Sequence, residues 1–227
     1  MSGSQTFDPI WEEKYSTGHM QHYPWDTVVS FVFRNYPKDK PRKSVRILEV
    51  GCGTGSNLRF AAREGFSVAG VDASVSAIEI AKKRFAEDGL EGDLRVADFT
   101  QLSFEDNEFD LVIDRGSLVC CGFEMGKRAI EEIHRVMKDG GRFFFNPYSD
   151  RHSSYASGRP GSDGLIMEIA AGSMVGVGQL SFYGRQQVEF ALRDFRIVSL
   201  QHMEWAEMLE PSWMVHAEWR AIAEKIA

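Results

Sequence analysis

The sequence predicts a doubly wound α/β fold: a seven-stranded, mostly parallel sheet with helices on both faces and an antiparallel strand at the C-terminal end. Three observations carry this. Short apolar runs alternate with helical segments between Val45 and Asn146, the spacing of βαβ units. A glycine turn, Gly51-Cys52-Gly53-Thr54-Gly55, follows the first run and opens into a helix. Beyond residue 194, two strand-like segments follow each other with no helical crossover, so they pair antiparallel at one edge of the sheet.

The elements follow in order. Residues before Phe7 read as a polar, disordered leader, and 7–15 as a short helix with Trp11 and Tyr15 on one face. Pro24 opens an amphipathic helix whose stripe is Trp25, Val28, Val29, Val32, Phe33 and Tyr36, and Pro37 ends it. The charged stretch 38–43 is a solvated linker into the strand 45–50, whose continuous apolar run suits burial on both faces. After the glycine turn come a helix over 57–64 stopped by Gly65, and a strand over 66–71 that ends at Asp72. Ser74 or Ser76 caps the next helix, with Ser76-x-x-Glu79 as a capping box and Val75, Ile78, Ala81 and Phe85 facing inward. Strands over 94–97 and 109–113 end at Asp98 and Asp114. A helix over 127–138 stops at Gly140-Gly141, and 142–146 is the fifth strand. The glycine- and serine-rich stretch 147–185 breaks the pattern, as functional lids or disordered segments do. A short helix over 186–193 and strands over 195–202 and 217–223 complete a single domain spanning 1–227.

At 227 residues, 43% of them apolar, the chain is long enough to bury a substantial core. A net charge of −7 gives no basic field to draw it to nucleic acid. Cys52, Cys120 and Cys121 have no metal-binding spacing and read as free thiols of a reducing cytoplasm. No apolar run reaches the ~20 residues a membrane helix needs, and the polar start Met1-Ser2-Gly3-Ser4-Gln5 does not read as a signal peptide.

In an open α/β sheet, ligands bind beyond the carboxyl ends of the strands. Glu49, Asp72, Asp98 and Asp114 all fall there. Asp is common at strand ends and helix caps, but four acids around one glycine turn point to a ligand. The turn is G-x-G-x-G, unlike the G-x-G-x-x-G of dinucleotide folds, and it lacks the Lys-Ser/Thr of a phosphate-binding loop. Glu49 would repel a phosphate and suits a ligand with a cationic part.

Glu-Val-Gly-Cys-Gly-Thr-Gly at 49–55, Val-Asp-Ala-Ser at 71–74, Ala-Asp-Phe at 97–99 and Phe-Asp-Leu-Val-Ile-Asp at 109–114 together resemble a class I S-adenosylmethionine-dependent methyltransferase of the small-molecule type. The resemblance runs from Val45 to Asn146 and implies a Rossmann-like sheet with S-adenosylmethionine as cofactor. It implies that Gly51, Gly53 and Gly55 pack against the methionine and ribose portions, that Asp72 accepts from the ribose hydroxyls, and that Ala73 lies near the adenine. Asp98 would take the adenine amino group beside Phe99, and Asp114 with Arg115 would border the methionine end. Tyr15, in a Trp-x-x-x-Tyr similar to the family's cofactor-covering segment, joins this set with Glu49, Cys52 and Asn57.

Such a cofactor brings its own activated methyl group, so the protein must orient the acceptor and exclude water. A general base is needed only for a hydroxyl or protonated amine. His152 and Tyr148, which follow the fifth strand, are the catalytic candidates, and His19, Tyr23, Tyr155 and Tyr183 the acceptor-binding ones. His134 reads as a solvated helix residue, and Cys120-Cys121 as either pocket lining or core. The segments 7–36 and 147–185 would roof the site, which suits a small organic acceptor methylated on O or N, with no metal, nucleic acid or membrane and a monomer or homodimer in the cytoplasm. The other readings are a protein or RNA methyltransferase, which the acidic charge and Asp114-Arg115-Gly116-Ser117 after the fourth strand disfavour, and a non-catalytic S-adenosylmethionine-binding protein.

Overall fold

The structure is a computed structural model that describes residues 7–209 and 214–226; the leader expected before Phe7 lies outside the described residues. The helices are α1 (Ile10–Ser16), α2 (Asp26–Asn35), α3 (Ser56–Arg63), α4 (Val75–Glu87), α5 (Phe123–Val136) and α6 (Arg185–Ala191). The main sheet comprises β1 (Arg46–Val50), β2 (Ser67–Asp72), β3 (Asp93–Val96), β4 (Phe109–Asp114), β5 (Met137–Phe145), β9 (Phe195–Ala206) and β10 (Val215–Lys225). Its order is β3-β2-β1-β4-β5-β10-β9. The β1–β2, β2–β3, β1–β4 and β4–β5 pairs are parallel, and β10 runs antiparallel to both β5 and β9. The seven-stranded, mostly parallel sheet with an antiparallel C-terminal strand is therefore the observed architecture.

Alternation along the strands divides the core between the two faces. Ile47, Val68, Leu111, Ile113 and Phe144 pack under α2, α3 and α4. Their neighbours Leu48, Val50, Ala69, Val71, Val112, Phe143 and Phe145 pack against α5 and α6. The order in which strands are added reverses between the parallel neighbours β1 and β4, and the crevice at their carboxyl ends is where the glycine turn sits.

Several boundaries differ from expectation, each for a local reason. Pro24 precedes α2 instead of opening it: Trp25 is the N-cap, and its backbone N–H donates to Asn57 Oδ1 at 3.0 Å. Phe31, outside the expected stripe, is buried and stacks on Phe144 with ring centroids 5.2 Å apart. Ser74 caps α4 by accepting from the Ala77 N–H at 3.1 Å; Ser76 is engaged by Glu12 instead. Helix α5 begins a turn earlier than expected and ends at Val136. Gly140-Gly141 does not stop a helix but lies inside β5, where the register against β4 slips between Phe109 and Leu111. His134 is half-buried with its ring edge-on to Phe195 at 4.9 Å, because α5 packs against the start of β9. The 147–185 insertion carries a small antiparallel sheet, β6 (Arg159–Pro160), β7 (Leu165–Met167) and β8 (Leu180–Ser181). Gly161 and Gly164 lie between β6 and β7, and Gly172, Gly176 and Gly178 between β7 and β8.

Phe31 joins α2 to the sheet, so truncating it opens a cavity that this rigid interface cannot collapse. Phe31→Ala is expected to lower unfolding stability by about 3 kcal/mol in urea titrations; a loss below about 1 kcal/mol would show that α2 contributes little to the core.

Candidate active site

The site is built from the turn upward. Gly51 and Gly53 have φ of +64° and +51°, in the left-handed region. A Cβ on Gly51 would come within 2.1 Å of Ser117 Cβ, and one on Gly53 within 2.7 Å of the Tyr15 hydroxyl oxygen. Both glycines are therefore needed for space as well as for conformation. The turn is tied from three sides. Gly53 N–H donates to Asp72 Oδ2 at 2.8 Å, Cys52 N–H to Val71 O at 3.0 Å, and Ser117 Oγ to Val50 O at 2.8 Å. Asp72 Oδ1 also accepts from Ser74 N–H at 2.9 Å. Asp114 Oδ1 accepts from the N–H groups of Ser117 (2.9 Å) and Leu118 (3.0 Å), fixing the loop after β4.

Above the turn lies a cavity of about 330 Å³, of the size small-molecule sites have. Of the residues the sequence singled out, Tyr15, His19, Glu49, Gly51, Cys52, Gly53, Asn57, Asp72, Ala73, Phe99, Arg115 and Tyr148 line it together. The others stand elsewhere. Gly55 faces α4, with Ala81 Cβ 3.2 Å from where a Cβ would stand, so its bareness serves helix packing. Asp98 accepts at Oδ1 from the Thr100 N–H and hydroxyl at 2.8 and 2.7 Å, in a turn of its own. Asp114 is fully buried behind the lining. Tyr23 is 79% exposed and Tyr155 is exposed, because the chain around each runs over the surface. Tyr183 points into the core between Phe123 and Phe145, with ring centroids 4.9 and 5.4 Å away. His152 is buried among Tyr148, Phe182 and His216; Nδ1 accepts from Ser154 N–H at 3.1 Å, and Nε2 meets Ser173 Oγ at 3.2 Å. Both of its ring nitrogens are occupied away from the cavity.

Trp11, expected with Tyr15 in the covering segment, lines the cavity too. Gln21, Trp25 and Ser117 also line it, and Glu218 supports it from β10, although none of these four was singled out as a site residue. Trp25 carried a signal, as a large aromatic beside a helix start, but periodicity files it as core. Glu218 carried none, since an acid in an alternating strand reads as solvated.

Burial dominates the electrostatics. Glu49 Oε1 accepts from Asn57 Nδ2 at 2.6 Å, while the buried Oε2 has no hydrogen-bond partner. Burial pushes this carboxyl up to about 8, against the Asn57 hydrogen bond and helped by repulsion from Asp114 and Asp72. Burial also raises Asp72 and Asp114, whose Oδ2 is a second unpartnered buried acceptor. Tyr15, Tyr148 and Cys120 are pushed up by burial and so stay protonated. His19 is lowered by burial and by Lys14, leaving a neutral imidazole at pH 7. On β10, burial would raise Glu218, but His216, Arg115 and Arg220 hold it at about 2. Unsatisfied carboxylate oxygens buried beside a bare glycine turn are placed for a ligand with a cationic group. Among the described residues, no group of His, Cys, Asp or Glu is arranged to hold a metal ion.

Residues 47–141 match the family model described as a methyltransferase domain. The chain is 35% identical over 92 residues to the ubiquinone biosynthesis O-methyltransferase of Chelativorans sp. (strain BNC1), covering 40% of this chain and 36% of that protein. It is 32% identical over 103 residues to the sarcosine/dimethylglycine N-methyltransferase of Aphanothece halophytica, covering 44% and 36%. The matches thus span about a third of these curated relatives' length. In architecture it resembles a solved S-adenosylmethionine-dependent methyltransferase of Methanosarcina mazei, with a TM-score of 0.71 and 22% identity over 86% of this chain and 97% of that one.

The Glu49 carboxyl ties folding to pH. Its folded value, about 8, lies above the unfolded value near 4.5, so the folded chain is fully favoured below the unfolded value and loses stability as pH rises through the folded one. Glu49→Gln keeps the acceptor for Asn57 without the ionisation. This variant is expected to be more stable than wild type without ligand, by about 4 kcal/mol at pH 8 and with no gap at pH 4. Parallel melting curves from pH 4 to 9 would show instead that the carboxyl titrates normally.

Proposed function

We propose, for a chain whose residues 47–141 form a class I S-adenosylmethionine-dependent methyltransferase domain, that the whole protein moves a methyl group to an oxygen or nitrogen of a small organic molecule. The observation that carries the reading is the unpartnered buried carboxyl oxygen that lines the cavity beside the glycine turn, Glu49 Oε2, with Asp114 Oδ2 unpartnered behind the lining. It suits a ligand that carries an ammonium group. When bound, S-adenosylmethionine supplies a methyl group already activated on a cationic sulfur.

In this reading the chain forms one domain, with 7–36 as a lid and 147–185 as a substrate-side insertion. Gly51 and Gly53 let the cofactor's methionine and ribose portions lie against the backbone. Asp72 has lone pairs left, after holding Gly53 and Ser74, to accept from ribose hydroxyls. Ala73 and Phe99 flank the adenine, and Cys52 and Asn57 complete the floor. Asp98, engaged with Thr100, supports that wall from behind. Trp11, Tyr15 and His19, with ring centroids 5.6–6.0 Å apart, close the roof and keep water out. Tyr148, held protonated by burial, donates a hydrogen bond to the acceptor. His19 is the imidazole lining the cavity, and its neutral ring takes the proton that an O–H or N–H acceptor releases. Three free cysteines fit a reducing cytoplasm.

Three measurements test this. Asp72→Asn keeps one acceptor oxygen for the turn but removes the charge, and is expected to weaken S-adenosylmethionine binding about tenfold in calorimetry; unchanged affinity would sink the cofactor assignment. Label from methyl-tritiated cofactor is expected in extracted metabolites, and label confined to protein or RNA would reject a small acceptor. The wild-type rate is expected to fall only on the acid side of the ordinary imidazole range, since burial and Lys14 lower His19, and His19→Gln to flatten that limb; an unchanged limb would remove His19 from the proton's route.

A further inference from the structure

The two halves of the cavity differ in charge. The β1–β2 half carries the buried acids Glu49 and Asp72 with the glycine turn. The β4–β5–β10 half carries a cation, Arg115, whose side chain is only 9% exposed although it lines the cavity. Its guanidinium carbon stands 4.1 Å from the centre of the Trp25 ring, and it lies beside the Tyr148 hydroxyl. One terminal nitrogen is 3.5 Å from Glu218 Oε2, and the buried Nε–H has no hydrogen-bond partner.

Glu218 does not neutralise this cation alone. Its other oxygen accepts from Arg220 Nε at 2.7 Å, and the His216 ring nitrogen is 3.4 Å from Oε2. Two guanidiniums share this carboxylate, and the buried acids Asp114 and Glu49 also interact with Arg115. The Arg115 Nε–H nevertheless stays buried without a hydrogen-bond partner, which is costly unless an acceptor on a ligand meets it there. The arginine fork matches the paired oxygens of a carboxylate, and Tyr148, its hydroxyl oxygen 3.6 Å from the position of a Cβ on Gly116, adds an O–H donor on the same wall.

Resting on the methyltransferase reading, we infer that the methyl acceptor is an anion whose carboxylate or ionised phenol oxygen is bound by Arg115, with Tyr148 as the neighbouring donor. Arg115 is thus the residue that selects the acceptor by charge. The aromatic surroundings of Trp25 and Tyr148 favour a planar acceptor body.

The test is a charge series titrated calorimetrically into protein saturated with S-adenosylhomocysteine: benzoate, 4-nitrophenolate at pH 8, benzyl alcohol and benzylamine. One or both anions are expected to bind, benzoate marking a carboxylate and 4-nitrophenolate a phenolate, and the alcohol and amine are not. In Arg115→Met the anion's affinity is expected to fall about tenfold, the size of one charge-assisted pair, with partial recovery in Arg115→Lys. S-adenosylhomocysteine titrated into each variant checks the fold and the cofactor site, and its affinity is expected to stay within about threefold. The inference is overturned if neither anion binds, if the alcohol or amine binds as well as the anions, or if Arg115→Met leaves anion binding intact. It is also overturned if that variant weakens S-adenosylhomocysteine in step, since Arg115 would then serve the cofactor's carboxylate. Failure of S-adenosylhomocysteine to bind wild type is a separate result and rejects the methyltransferase reading itself.

Discussion

The Asp72 carboxylate is the interaction on which the cavity's construction depends. One oxygen holds Gly53 in the turn after β1, and the other holds Ser74 after β2. Two loops from neighbouring parallel strands are thereby fixed to each other at the carboxyl edge of the sheet, where nothing in the ladder itself would set their spacing. Ser74 passes the constraint on, capping α4 while donating its hydroxyl to Glu12 Oε2 at 2.6 Å. Glu12 lies on α1, and α1 lays Tyr15 back over Gly53. The path closes on itself: the acid that shapes the floor also anchors the helix that roofs it. A further tie, Gln179 N–H to Asp8 Oδ2 at 3.2 Å, joins the same roof to the insertion.

The site's charges show where stability is sacrificed to function. Three buried acids at the ends of β1, β2 and β4 are held above the usual carboxylate range, and a guanidinium with an unpartnered Nε–H lies on the opposite wall. None of these groups gains from burial in the absence of a ligand. Asp110, also buried but at the other end of β4, is the contrast. Despite its burial, contacts with the Arg46 N–H at 2.9 Å, Lys138 Nζ at 2.6 Å and Lys40 Nζ at 3.3 Å hold its carboxyl low. One strand thus carries a satisfied structural carboxylate at its start and an unsatisfied one at its finish.

The sheet and the floor are legible in the sequence because local rules govern them. Val45 to Val50 can be only a covered strand, the glycines only a sharp turn, and Asp72 and Asp114 fall at strand ends by counting. The phase of side chains that leave regular structure is not legible. Tyr183 and Tyr148 both sit in extended segments bordering the insertion, yet one faces Phe145 in the core and the other faces Arg115. That choice depends on the bridges that dock the insertion, Tyr148 to Glu218 and Ser149 to Tyr183, both made over long sequence separations. His152 goes the same way: beside its local contact with Ser154 N–H, its ring meets Ser173, a contact that exists only once the insertion has folded on itself.

The same division explains why cofactor and acceptor differ in how far a sequence reveals them. A ligand lying along β1 and β2 is met largely by backbone and strand-end acids, whose positions the strand count sets. The wall facing it is assembled from Trp25 ahead of α2, Arg115 after β4, Tyr148 after β5 and Glu218 within β10, so four separate stretches of chain meet in one corner. No spacing rule links them, and each alone reads as a core aromatic or a solvated charge. Only the antiparallel placement of β10 against β5 brings Glu218 under Arg115 and leaves the guanidinium facing the cavity. The strand that departs from the parallel pattern is therefore the one that sets the charge of the acceptor wall.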